Sequence, residues 1–138
     1  MVFIKHNVPS SKNSKINGKF FSKTVQKYLK TYGIKSFSSS RKTVETYKTK
    51  PMTFPVDDLK RLLENRDYPI TLGFHFVRGT RHKFDFGNVC QILLDLFTAF
   101  NIIDDDNMDC IIPMPFQIED RWYSYDKDNP GVYIKICN

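Results

Sequence analysis

Apolar residues fall at helical spacing in three stretches and alternate with polar ones in others. Between Ser22 and Gly33, Val25, Tyr28, Leu29 and Tyr32 stand at i, i+3, i+4 and i+7, the stripe of a helix that buries one face. Ser22 is a favoured N-cap, and Gly33 a favoured residue just past a C-terminus. Pro55 to Glu64 reads as a shorter helix, with Asp57 and Asp58 well placed for the helix dipole and Leu59, Leu62 and Leu63 facing inward. The third helix has the clearest pattern: Val89, Ile92, Leu93, Leu96, Phe97 and Phe100 form its apolar side, and Asn88, Gln91 and Asp95 a narrow polar stripe. From Tyr68 to Arg78 the period changes to two. Ile70, Leu72, Phe74 and Phe76 alternate with Thr71, Gly73, His75 and Val77, which predicts a strand with one strongly apolar face and makes His75 an ordinary strand residue.

Met1 to His6, Cys110 to Ile112 and Val132 to Ile136 read as further strands. Asn17-Gly18, between Ile16 and Phe20, has the dipeptide of a tight hairpin. Lys35 to Lys50, rich in Ser, Thr, Lys and Arg, reads as a basic loop or hairpin. Strands and helices are interspersed along 138 residues. The expected class is therefore mixed α/β or α+β, and α+β is the one taken, one domain over residues 1–138 with a single mixed β-sheet and helices packed on it.

Charge divides the chain unevenly. Residues 1–50 carry twelve Lys/Arg against the single acid Glu45, and residues 51–138 carry nine against fourteen Asp/Glu. Such asymmetry suggests an anionic partner for the first part and a cation site in the second. Lys23, Lys27 and Lys30 share the side of the first helix opposite its apolar stripe, with no acid at i±3 or i±4 to interleave with them. A solvated face is the bland reading of those lysines; a rail for an anionic partner is the sharper one. No stretch is long and apolar enough for a membrane helix and the N-terminus lacks a signal-peptide core, so an intracellular protein without a membrane partner is expected. Cys90, Cys110 and Cys137 form no close pair, which argues against structural zinc and a disulfide scaffold.

Two acidic elements bracket the third helix: Asp85 before it, and Asp104, Asp105 and Asp106 after it. Asp85 is in place to be an N-cap. Three consecutive aspartates repel one another unless well solvated or holding a cation. The spacing argues against a calcium loop of the EF-hand kind, because Cys110 stands where glycine is required and Phe116 where the twelfth-position glutamate should be. A helix of about 14 residues is about 20 Å long, so the two acidic elements meet only if the chain turns back along it.

The segment Phe84-Asp85-Phe86-Gly87-Asn88-Val89-Cys90-Gln91, the helix ending Leu93-Leu94-Asp95-Leu96-Phe97, and the run Ile103-Asp104-Asp105-Asp106-Asn107 resemble the core of the RusA-like Holliday junction resolvases, small endodeoxyribonucleases common in phages and prophages. The Pro9-Ser10-Ser11-Lys12-Asn13 turn and the closing Gly131-Val132-Tyr133-Ile134-Lys135-Ile136 strand extend the resemblance over nearly the whole chain. It implies a RusA-like fold and a homodimer that cuts branched or junction DNA with Mg²⁺, or Mn²⁺, in the cytoplasm of a bacterial host. The family motif reads Asp-x-Asp-Asn-x-x-Lys, followed one helix later by two aspartates. Matched by position, Asp85 and Asp106, with Asp105, become the metal-binding and catalytic residues, and Asn88 and Gln91 fall within the motif. Gly87 replaces its second aspartate and Gln91 its lysine. Lys12, Lys15, Lys23, Lys27, Lys30 and Lys83 are then the expected DNA-binding residues. The alternative is a degraded, non-catalytic branched-DNA-binding protein on the same fold.

Overall fold

The structure, a computed structural model, describes residues 1–10, 15–16 and 20–137, with only the backbone of residues 15, 16 and 20. In chain order its elements are β1 (Val2–Lys5), β2 (Lys15–Ile16), β3 (Phe20–Phe21), α1 (Lys23–Thr31), β4 (Ile34–Ser38), β5 (Thr43–Thr46), α2 (Val56–Leu63), β6 (Ile70–Arg78), α3 (Phe86–Ala99), β7 (Ile111–Pro115), β8 (Ser124–Tyr125) and β9 (Gly131–Ile136). The main sheet runs β1-β9-β6-β7, with β8 beside the far end of β6. β6 is antiparallel to β9 and parallel to β7 and β8. This is the expected mixed sheet with three helices. β2 pairs with β3, and β4 with β5, as separate two-stranded ribbons.

Most boundaries follow from the local chemistry. Ser22 caps α1 by accepting a hydrogen bond from the Val25 amide, and Gly33, at φ 79°, stands past its end. Val25, Tyr28 and Leu29 are buried, as their spacing predicts. Asn17-Gly18 lies outside the described residues, though the flanking Ile16 and Phe20 do pair. The basic stretch from Lys35 is largely the β4–β5 hairpin, with Phe37 stacked 4.9 Å from Phe21. β7 runs on through Pro113 and Pro115, which an edge strand tolerates because its outer amides need no partner.

One expectation needs correction. β6 buries both faces rather than one: His75 is fully buried and Gly73 and Val77 are buried too. Leu72, Phe74 and Phe76 meet the helix side, where Phe74 contacts Phe86 and Phe97. The opposite face is covered by the segment after β7. Phe116 packs beside Gly73 and its carbonyl lies 2.9 Å from His75 Nδ1, while His75 Nε2 is 2.7 Å from Ser124 Oγ. With both ring nitrogens engaged, a buried histidine costs little.

α3 is the crossover that parallel pairing of β6 and β7 requires. Nine of its residues are buried, among them Val89, Ile92, Leu93, Leu96 and Phe97. At about 1.5–3 kcal/mol for each large apolar side chain buried, this packing far outweighs the roughly 1 kcal/mol of its N-cap. The core therefore fixes where α3 lies, and its polar stripe is carried along with it.

Candidate functional site

The polar stripe of α3 and the chain on either side of it make the site. Asp85 is the N-cap: its Oδ1 accepts from the Asn88 amide at 3.3 Å. The residue is exposed, so capping leaves carboxylate surface open to solvent.

The far end of α3 is closed by a Schellman turn. The Ile102 amide donates to the Phe97 carbonyl at 2.8 Å and the Asn101 amide to Thr98 at 3.0 Å, with Asn101 at φ 60°. Asparagine is one of the few side chains that accept this left-handed conformation. Ile102 and Ile103 are then buried, which draws the following aspartates back along the helix. Gln91 marks where they arrive. Its Nε2 donates to Asp95 Oδ1 and to Asp106 Oδ2, both at 2.8 Å.

Of the three consecutive aspartates, Asp106 is therefore the one hydrogen-bonded to α3. Asp105 is used locally: it accepts from the Asp106 amide at 2.8 Å and from Asn107 Nδ2 at 3.2 Å. The bond from the Asp106 backbone, with further help from Asp106 and Asn107, holds its carboxyl below the usual range. The Asp104 amide donates to the Tyr68 hydroxyl at 3.1 Å. Asp85 and Gln91 are six positions apart, about 9 Å along the axis. The chain does turn back, and Asp106 meets the second turn of α3 rather than its first.

A groove of about 390 Å³ opens at the first turn, lined by Ser10, Arg78, Lys83, Phe84, Asp85, Asn88 and Val89. Asp106 stands outside it, beyond Asn88 along the helix. Arg78, at the end of β6, is 9% exposed; one terminal nitrogen donates to the Val8 carbonyl at 2.7 Å, and its Nε has no hydrogen-bond partner among the described residues. Burial lowers the pKa of its guanidinium, but from so high a value that the charge stays. Lys83 is exposed at the rim. A buried cation with a spare donor, a second cation and a helix N-terminus suit an anion such as a phosphate.

Asp85 and Asp106 offer hard oxygen donors, which suit Mg²⁺ or Mn²⁺ and not a thiophilic ion. Magnesium is ordinarily held by one or two carboxylates, with water and phosphate completing its shell. Among the described residues no group of three or more Asp, Glu, His or Cys is gathered as a metal cage would be. The donor set is thus a two-carboxylate one at most.

The remaining expected residues are scattered more widely. Lys23, Lys27 and Lys30 are exposed on α1, and the Lys30 carbonyl accepts from Lys50 Nζ at 2.7 Å. Lys12 lies outside the described residues, and Lys15 is described only as the backbone of β2. No sequence pattern assigns a role to Arg78, whose burial nothing local announces, or to Arg121, Trp122 and Tyr123, which fall between the last two predicted strands. No helix is long and apolar enough to cross a membrane among the described residues. Comparison of the chain with known protein families, with curated proteins and with solved structures finds no match.

Proposed function

We propose that the chain is a RusA-like endodeoxyribonuclease that hydrolyses backbone phosphodiesters of branched DNA with a divalent metal, acting as a homodimer. The observation that carries this reading is the bond from Gln91 to Asp106 on the helix that Asp85 caps. It puts the later acid of the motif beside the residue at the motif's lysine position, although the two are fifteen positions apart in sequence.

In this reading Asp85 and Asp106 would hold the ion, Mg²⁺ or Mn²⁺, once their side chains closed the offset of about 9 Å between their positions along α3. When bound, it supplies a Lewis acid for the phosphate and an acidified water for in-line attack. Arg78 and Lys83 take the phosphate charge in the groove beside Asp85, in place of the motif's lysine; electrostatic help of this kind is worth about 10²–10³ in rate where it has been measured by removing one donor. Asn88 anchors Asp85 through its amide, and Gln91 holds Asp106 in place. Lys23, Lys27 and Lys30 bind flanking phosphates without reading sequence. The homodimer supplies two such sites, matching the near-symmetry of a four-way junction.

The test is nicking of synthetic four-way junctions in Mg²⁺ or Mn²⁺. Cleavage that is abolished in both Asp85→Asn and Asp106→Asn is expected; no cleavage by the wild type in either metal, or full activity in Asp106→Asn, refutes the assignment. One observation favours a second reading, a non-catalytic binder of branched DNA: a neutral amide, not an ammonium, lies between Asp95 and Asp106, and Gly87 offers no carboxylate. Junction binding that persists while calorimetry detects no Mg²⁺ or Mn²⁺ uptake selects that reading.

A further inference from the structure

Beside the Asp85 groove lies an aromatic surface that the nuclease reading does not use. Trp122 and Tyr123 are 56% and 54% exposed, and Tyr125 is 37% exposed. Large aromatic side chains are seldom left in water together without a partner. Two adjoining grooves share Trp122 and Tyr123: one of about 370 Å³ is completed by Arg81, Arg121, Ser124 and Tyr125, the other of about 400 Å³ by Phe76, Lys83, Phe84, Phe86 and Pro115. Lys83 and Phe84 also line the Asp85 groove, so the surface is continuous with the candidate site.

The surface is tied to the fold on both sides. Ile118 and Arg121 exchange backbone hydrogen bonds at 3.0 Å across Glu119 and Asp120, whose φ values are 52° and 64°. That left-handed pair matches a tight turn usually built from Asn-Gly, and each non-glycine residue in it costs about 1–2 kcal/mol. Such strain sits one residue before Trp122, with Arg121 between. On the other side, β8 is tied to β6 by pairing and by the Ser124–His75 bond. Tyr123 packs edge-on against Phe84 at 5.0 Å, and Arg81 covers the Tyr125 ring at 4.0 Å. Both the indole and the stacked guanidinium present flat faces.

We infer that this surface, Trp122 and Tyr123 with Arg81, Arg121 and Lys83, binds the unpaired bases of a single-stranded DNA segment leaving the phosphate held beside Asp85. Flat aromatic faces take any base by stacking, and the three cations take the intervening phosphates. Asp85, Glu119, Asp120 and Asp126 are the nearby acids in sequence, and their charge disfavours a strand running over them. This inference rests on the nucleic-acid reading, and it adds a substrate feature, an unpaired stretch next to the cut.

Trp122 is the chain's single tryptophan, so its fluorescence reports this surface alone. The experiment uses the full chain in EDTA at physiological salt, with labelled oligothymidylate about 12 nucleotides long, inside the span such grooves cover, its abasic analogue of equal charge, and duplex DNA. Oligothymidylate should quench Trp122 and bind at least about fivefold more tightly than the abasic strand. Trp122→Ala should weaken the oligothymidylate complex about 5- to 150-fold and leave abasic binding unchanged. Equal affinity for the abasic strand, unchanged Trp122 emission on binding, or an unaltered affinity in Trp122→Ala overturns the inference. So does a Trp122 signal that depends on protein concentration alone, which would mean that a second copy covers the surface. Because metal is absent, these outcomes are independent of whether the junction-nicking assay succeeds.

Discussion

Gly87→Asp would restore the acid that the resemblance lacks, and its effect can be worked from the structure. Gly87 is exposed in the first turn of α3, and an added Cβ would meet only Asp85 Oδ1, at 3.3 Å. The new side chain needs no backbone movement, only a shift of a few tenths of an ångström by the Asp85 carboxylate. Without metal three small effects nearly cancel. Aspartate is better than glycine in a helix by a few tenths of a kcal/mol. A carboxylate at a helix N-terminus gains about 0.3–1 kcal/mol. Its repulsion by Asp85 costs about 1 kcal/mol at 4 Å in water. A divalent cation changes the sign of that last effect. At a Mg²⁺ concentration ten times the dissociation constant, binding to the folded state adds about 1.4 kcal/mol, which is about 4–7 °C in a chain of this size. Thermal melts of wild type and variant in EDTA and in graded MgCl₂ measure this. The expected result is near-equal melting in EDTA, a steeper Mg²⁺ response for Gly87→Asp, and loss of that extra response when Asp106→Asn is added. An identical Mg²⁺ response in the two proteins, or one that survives Asp106→Asn, refutes a shared ion between Asp85 and Asp106.

Further outcomes follow from other parts of the molecule. Replacing Lys23, Lys27 and Lys30 with alanine should lower the slope of log affinity for duplex arms against log salt by about 0.9 for each phosphate that is no longer neutralised, measured by fluorescence anisotropy; an unchanged slope would leave the α1 rail as a solvated face. Burial pushes the Tyr32 phenol from 10.0 up to about 12. Between those pH values the unfolded chain sheds a proton that the folded chain keeps, so stability should fall as pH rises from 10 to 12, and the fall should be smaller in Tyr32→Phe when melting is followed against pH. Gly131→Ala would drive a methyl to 2.3 Å from the Ile4 carbonyl and 2.5 Å from the Phe3 ring. It should destabilise the β1–β9 pairing by about 1–3 kcal/mol in urea unfolding.

The helices were legible because each carries its own punctuation. Ser22 and Gly33 bound α1, and Asp85 stands at the start of α3, all readable without knowledge of the rest of the chain. β6 was legible as a strand but not as a central one: alternation separates two faces without saying whether the second is covered, and Phe116 and Ser124, which cover His75, lie more than forty residues away. The candidate site divides in the same way. Asp85 is local to its helix, whereas the meeting of Asp106 with Gln91 depends on a chain reversal whose only local sign is Asn101. Arg78 and the Trp122 surface were not legible as site residues. The roles proposed for them arise from where β6 ends and what β8 pairs with, and neither is written in the neighbouring residues.

The Asn101 reversal makes the spacing between helix and acid a matter of residue count. From the buried Ile103, three residues of chain reach Asp106, and each residue can add up to about 3.3–3.6 Å of reach. The hydrogen bond to Gln91 tolerates only a few tenths of an ångström about its 2.8 Å length. A single residue inserted directly before Asp106 would bring the inserted side chain to Gln91 in place of the carboxylate, whereas one inserted after Ile103 or Asp104 would bring Asp105 there. In this loop, length is as much a part of the site's chemistry as the identity of the aspartate itself.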